Sequence, residues 1–208
     1  MLSQNYSDND YSVDDDSRSI KFNRYDMPTP WMNYLSNGTF HTMISQAGGS
    51  LVFYKSPQIW RINRYRFFHL PMDRSGVYIY VKENGVDKYY SLTSEPCISK
   101  PDKFNSIHGM GFTQFDTEIN DFMFSAKYFI PPDKNVLIIN IKIKNNSIKK
   151  RELSIYGYVE FALMEFLKEI QWHCYNKHQV NVTFFKESQA LIYEYGGENQ
   201  PVPEQTPS

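Results

Sequence analysis

Val136-Leu137-Ile138-Ile139-Asn140-Ile141-Lys142-Ile143-Lys144 is the stretch that decides the fold. From Ile139 onward it alternates strictly, with Ile139, Ile141 and Ile143 on one side and Asn140, Lys142 and Lys144 on the other. A period of two belongs to a half-buried strand, whose successive side chains point to opposite faces. Pro131-Pro132-Asp133-Lys134 turns the chain into it, and Asn145-Asn146-Ser147 turns the chain out toward a further strand, Arg151 to Phe161.

Outward from there the same grammar repeats. Upstream, Asp121 to Ile130 and Ile107 to Phe115 read as strands. Asn84-Gly85 is a two-residue hairpin signal between Val77–Lys82 and Lys88–Leu92. Ala47-Gly48-Gly49-Ser50 joins Phe40–Ser45 to Leu51–Tyr54 as a second hairpin. Ile20 to Tyr25 begins the series, and Gln179–Phe185 and Ala190–Tyr195 close it. About a dozen short strands joined by turn signals predict an all-β chain built as an antiparallel β sandwich. Residues 162–172 stand apart, and two readings are open there: a helical turn with apolar residues at 163, 166, 167 and 170, or an extended loop.

The ends differ in composition. Residues 1–19 are polar and acidic, with the run Asp14-Asp15-Asp16, and are expected to be disordered. Residues 196–208 are rich in proline, lack apolar periodicity and are expected to form a disordered tail. The sandwich is assigned to residues 20–195.

Composition narrows the function classes. The formal net charge of -1 argues against binding driven by nucleic-acid phosphates. The start of the chain lacks the apolar core of a signal peptide, and no stretch approaches a membrane span, so a cytoplasmic protein with no membrane partner is expected. The two cysteines, Cys97 and Cys174, form no metal-ligand spacing. His173 and His178 flank Cys174, but without a defined ligand set, so no metal is expected. Aromatic residues make up 16% of the chain, which suits β cores and carbohydrate-stacking surfaces equally.

Four features could carry chemistry. Trp60-Arg61-Ile62-Asn63-Arg64-Tyr65-Arg66-Phe67-Phe68 holds three of the seven arginines. As a strand it would place arginine and aromatic side chains on both faces. Such arginines either snorkel or pair with carboxylates, or else they face a sugar or an anion. His108, beside Gly109, is either a catalytic base or a hydrogen-bonded structural residue. The neighbouring glycines would let another backbone or a ligand approach closely. Glu160, Glu165 and Glu169 could supply acid and base carboxylates. Glu165 and Glu169, four apart, are also the pattern of a solvated helix face.

Several segments, taken together, resemble the N-terminal domain of glycoside hydrolase family 94, the cellobiose and N,N'-diacetylchitobiose phosphorylases. They are Pro28-Thr29-Pro30-Trp31-Met32-Asn33-Tyr34-Leu35, Ile44-Ser45-Gln46-Ala47-Gly48-Gly49-Ser50, Phe53-Tyr54 and Arg61-Ile62-Asn63-Arg64-Tyr65-Arg66. They continue with Pro71-Met72-Asp73-Arg74-Ser75-Gly76-Val77-Tyr78-Ile79-Tyr80, His108-Gly109-Met110-Gly111-Phe112-Thr113, Phe129-Ile130-Pro131 and Tyr158-Val159-Glu160-Phe161. They occur in family order across about residues 26–195. Asn176-Lys177-His178-Gln179 is similar to the chitobiose-type loop.

The resemblance implies a galactose-mutarotase-like supersandwich that precedes an (α/α)6 barrel. The barrel carries the general acid and the phosphate site. The family reaction is inverting phosphorolysis of a β-linked disaccharide, with inorganic phosphate as co-substrate and no cofactor. Members form homodimers in which a sandwich loop reaches the partner's active site. The counterpart here is Tyr175, Asn176, Lys177, His178 and Gln179. Arg61, Arg64, Arg66 and His108 are implied to dock the barrel or a second subunit. The chain departs from the family at Ile107, where an arginine is usual, and at Tyr89-Tyr90-Ser91-Leu92, where a Trp-Ser-Pro segment is reduced. It also carries no barrel, so a C-terminally truncated enzyme without catalytic residues of its own is expected. The other reading is a stand-alone carbohydrate-binding or scaffold module.

Overall fold

The computed structural model describes residues 7, 9–64, 75–97, 100–171 and 178–196. In chain order the strands are β1 (Tyr11–Asp14), β2 (Ser19–Phe22), β3 (Met32–Ser36), β4 (Phe40–Ser45), β5 (Ser50–Tyr54), β6 (Val77–Glu83) and β7 (Lys88–Ser91). They continue with β8 (Lys103–Gly109), β9 (Phe112–Ile119), β10 (Phe122–Phe129), β11 (Ile138–Asn145) and β12 (Leu153–Val159). One helix, α1 (Phe166–Gln171), precedes β13 (Val180–Phe185) and β14 (Ala190–Tyr195).

The strands β1-β2-β8-β9-β10-β11 form an antiparallel six-stranded sheet. Two three-stranded sheets, β3-β4-β5 and β12-β6-β7, accompany it, and β13 and β14 pair as a hairpin. The six-stranded sheet turns Phe115, Phe122, Phe124, Ala126 and Tyr128 inward. They meet Leu35 and Ile44 from one small sheet and Val81 and Tyr90 from the other. Each large apolar side chain among them, such as Phe115, Phe124 or Ile44, fully removed from water, contributes about 1.5–3 kcal/mol before entropy is counted. Ile139, Ile141 and Ile143 pack against this core from the edge strand β11, while Asn140, Lys142 and Lys144 face solvent. This is the all-β sandwich that the alternation predicts.

Two segments differ from the sequence reading, and a third, for which it left two readings open, is helical in part. The acidic N-terminal segment is ordered from Tyr11, because Val13 registers with Ile20 and Tyr11 with Phe22, which lets β1 extend the sheet. Tyr11 also lies 5.5 Å from the Trp31 ring. The arginine stretch is not a continuous strand over its described part, residues 60–64. It makes two isolated bridges, Phe53 with Arg61 and Asn63 with Phe161. Residues 65–74, with Arg66, lie outside the described residues. In 162–172 a helix forms, but only over Phe166–Gln171.

Candidate functional site

The segment that runs from the arginines through α1 into β13 is the candidate site. Its root is Arg61. This side chain is 1% exposed, and its guanidinium pairs with the carboxylate of Glu169 on α1. It also lies 4.7 Å from the Phe166 ring centroid. Burial pushes the Arg61 pKa down, and the neighbouring Glu169 carboxylate pushes it back up. A planar guanidinium tolerates such burial because it can be hydrogen-bonded and stacked at once. Arg61 therefore points into the chain, where it cannot dock an outside surface. Glu169 is 2% exposed, so the pair Glu165 and Glu169 does not form a solvated face. The exposed positions on α1 are Leu167, Lys168, Ile170 and Gln171, and they include the apolar Leu167 and Ile170, at 55% and 42%.

Local chemistry sets where α1 begins. The Glu165 carboxylate accepts hydrogen bonds from the Leu167 and Lys168 amides, at 3.2 and 3.1 Å, and so satisfies two donors of the first turn. The Phe166 amide donates to the Gln58 carbonyl at 2.8 Å, tying the helix start to the loop before Arg61. Arg64 donates to the Glu160 carboxylate at 2.7 Å, and its amide donates to the Glu160 carbonyl at 2.8 Å. All three candidate carboxylates are thus engaged in holding the fold: Glu160 by Arg64, Glu165 by the helix start and Glu169 by Arg61.

Asn63 completes this root, and sequence reading did not single it out. It is fully buried. Its side chain accepts from the Val52 amide at 2.7 Å and donates to the carbonyls of Ser50 and Arg64 at 2.9 and 3.1 Å. The only signal for it is an amide side chain set between two arginines.

At the far end, the predicted partner-site residues are split. Tyr175, Asn176 and Lys177 lie outside the described residues, while His178 and Gln179 lead directly into β13. Gln179 is held by two bonds. Its side-chain oxygen accepts from the Tyr195 hydroxyl, and its carbonyl accepts from the Gly196 amide at 2.8 Å. Tyr193, one strand across, lies 3.9 Å from the Phe161 ring. The segment 172–177 therefore leaves from a helix locked by a buried ion pair and returns to a hairpin locked at its open end.

His108 lies elsewhere, on β8. It is 8% exposed, shares hydrogen bonds with the Trp31 carbonyl at 3.1 Å and Thr113 Oγ1 at 3.4 Å, and meets Phe22 edge-on at 5.1 Å. Burial lowers its pKa to about 4, so the ring is neutral at pH 7. The structure thus places it as a hydrogen-bonded core residue. The close approach permitted at Gly109 is filled by the chain itself, because a Cβ there would sit 2.4 Å from the Phe112 ring. The inner end of β8 borders a cleft of about 610 Å³ lined by β1–β3 residues, Trp31 and His108. Among the described residues no cluster of three metal-ligating side chains occurs, and no helix is long and apolar enough to cross a membrane.

Comparison with known proteins gives this geometry a context. Residues 17–202 match the family model described as glycosyl hydrolase 94, supersandwich domain. The match begins inside the acidic N-terminal segment and runs past Tyr195 into the Pro-rich one. The N,N'-diacetylchitobiose phosphorylase of Vibrio furnissii is 30% identical over 162 residues, 77% of this chain and 20% of that protein. The enzyme of the same name from Vibrio proteolyticus gives the same identity and coverage. The solabiose phosphorylase of Paenibacillus borealis is 22% identical over 149 residues, 71% of this chain and 19% of that protein. The chain spans about a fifth of the length of these curated relatives.

Proposed function

The chain belongs to the glycosyl hydrolase 94 supersandwich family, and from that premise we propose that it is the N-terminal sandwich domain of an inverting disaccharide phosphorylase. The substrate class is a β-linked disaccharide such as chitobiose or cellobiose. The bond from the anomeric carbon to the leaving oxygen breaks as phosphate oxygen bonds to that carbon. A carboxylic acid delivers the proton to the leaving oxygen, and the products are a sugar 1-phosphate and a free sugar. In this reading the acid and the phosphate site belong to an (α/α)6 barrel outside the chain, and the sandwich supplies no reacting group.

The contribution of the sandwich is positional. Tyr175 to Gln179 reach the active site of the partner subunit in a homodimer, and their aim is set by where the segment starts and ends. The observation that carries this reading is the buried pair of Arg61 and Glu169, which fixes the helix immediately before that segment. A charged pair held inside a β protein is costly to desolvate, and specifying one arrangement of a functional element is a role that can justify it. The exposed apolar residues of the hairpin also support the reading. Val182, Phe184 and Leu191 are 52%, 59% and 55% exposed on one of its faces, and Ile192 and Phe185 are 42% and 48% exposed on the other. Apolar area on both faces suits an element covered by further protein.

The purified chain, incubated with chitobiose or cellobiose and phosphate, is expected to release no sugar 1-phosphate. Release by the chain alone would overturn the assignment of the chemistry to a barrel.

A further inference from the structure

The outer face of the six-stranded sheet carries a second feature, separate from the α1 segment. A cleft of about 540 Å³ lies over β9, β10 and β11. Its lining contains two lysines, Lys127 and Lys142, and no carboxylate. Gln114, Ser125 and Asn140 supply neutral donors and acceptors, and Phe112 and Phe129 supply apolar surface.

The register orders these groups. Phe112 lies opposite Phe129, Gln114 opposite Lys127 and Lys127 opposite Asn140, and Ser125 opposite Lys142. Neighbouring strands are about 4.8 Å apart, and same-face residues along a strand about 6.7 Å apart. An aromatic row is therefore followed by two polar rows, Gln114-Lys127-Asn140 and Asp116-Ser125-Lys142, each with one ammonium, on a grid comparable in spacing with a pyranose ring. The Lys127 ammonium rests 3.9 Å from the Phe112 centroid, which holds its charge inside the cleft. Lys142 is exposed on the edge strand and makes no ion pair among the described residues. The nearest acid on this face, Asp116, is occupied by the Gln114 amide, at 3.0 Å to each oxygen.

A surface that only solvates a sheet mixes charges of both signs. The face as a whole carries Asp116 and Glu118 on β9, but the cleft lining itself holds two cations, uncharged hydrogen-bonding groups and aromatic carbon without an acid. That combination matches a ring of hydroxyls and C–H faces bearing one anionic group. We propose that the outer face of β9–β11 binds a saccharide carrying a phosphate or a carboxylate. The proposal stands on the chemistry of the cleft and does not depend on the phosphorolysis reading. Binding and turnover are separate measurements, so either can fail without the other.

The test is calorimetric titration of the full chain with α-D-glucose 1-phosphate, a glucuronic-acid-containing disaccharide, cellobiose and inorganic phosphate. At least one of the two anionic saccharides is expected to bind about tenfold or more tighter than cellobiose and than phosphate alone, as a charge-assisted hydrogen bond requires. The tighter of the two identifies the anionic group. Lys142→Gln and Lys127→Gln should each weaken that binding about tenfold, while Lys82→Gln on β6 should leave it unchanged. Lys142 is exposed, so its substitution reads the site without disturbing the fold. The proposal is overturned if cellobiose binds as tightly as the charged sugars. It is equally overturned if inorganic phosphate alone matches them, if Lys142→Gln has no effect, or if none of the four ligands binds.

Discussion

Arg61 and Glu169, 108 residues apart in sequence, meet as an ion pair buried at both ends. The pair joins the loop after β5 to the helix before β13, and so couples the body of the sandwich to the segment that carries Tyr175 to Gln179. Removing one partner leaves the other charged and desolvated. Arg61→Met or Glu169→Gln is therefore expected to lower stability by about 3–5 kcal/mol. The double substitution Arg61→Met/Glu169→Leu should cost much less, because it removes both charges. Urea unfolding of the three variants checks this. A double variant as unstable as the singles would show that packing of the two stems, not charge pairing, is what holds α1.

His108 makes stability depend on pH. Its folded pKa of about 4 lies below the ordinary value of 6.5 because burial disfavours the imidazolium. Between those values the unfolded chain binds the proton and the folded chain does not, so stability rises with pH across the window. The contribution is complete above pH 6.5 and is lost progressively on acidification toward pH 4, amounting to about 3 kcal/mol. Unfolding midpoints at pH 7 and pH 5 should differ more for the natural chain than for His108→Gln. An NMR titration giving His108 a pKa near 6.5 would contradict the placement.

Two glycines in hairpin turns separate strain from crowding. Gly48 has φ +107°, and a Cβ there would lie 2.4 Å from Thr93. Gly38 has φ +92° and nothing within 4 Å of its Cβ position. Gly38→Ala should therefore cost about 1 kcal/mol of backbone strain alone, and Gly48→Ala about 2–3 kcal/mol or more. Equal losses in denaturant unfolding would show that the turn after β4 does not pack against Thr93.

Much of the fold is legible in short-range pattern. The alternation at Ile139, Ile141 and Ile143 and the turn at Ala47-Gly48-Gly49 depend on neighbours a few residues away and appear as read, and Asn84-Gly85 marks a hairpin whose loop, Asn84 to Asp87, is four residues long and not two. What was not legible depends on remote partners. Asp14-Asp15-Asp16 looks like a solvated terminus until Val13 is set opposite Ile20. Glu169 looks solvent-facing until Arg61 arrives from a distant loop, and its burial turns Leu167 and Ile170 outward, opposite to the hydrophobic periodicity. Within the candidate site, the arginines are visible as unusual, but the pairing of Arg61 with Glu169 and of Arg64 with Glu160 is not. The outer-face cleft left only a faint trace, the alternation of Phe112, Gln114, Asp116 and Glu118 along β9. No local rule gives a partly exposed polar face a ligand.

The central claim is that the segment between α1 and β13 serves a phosphorylase active site that this chain does not contain. It is tested most directly in a chimaera that carries residues 17–202 in place of the matching segment of the Vibrio furnissii phosphorylase. Phosphate-dependent release of sugar 1-phosphate from chitobiose is measured with the natural segment and with Tyr175 to Gln179 replaced by glycine and serine. The account predicts an active chimaera whose kcat/KM falls at least about tenfold on that replacement, the scale of losing one or more substrate contacts, while its Tm is unchanged. Equal kcat/KM in the two forms would contradict it.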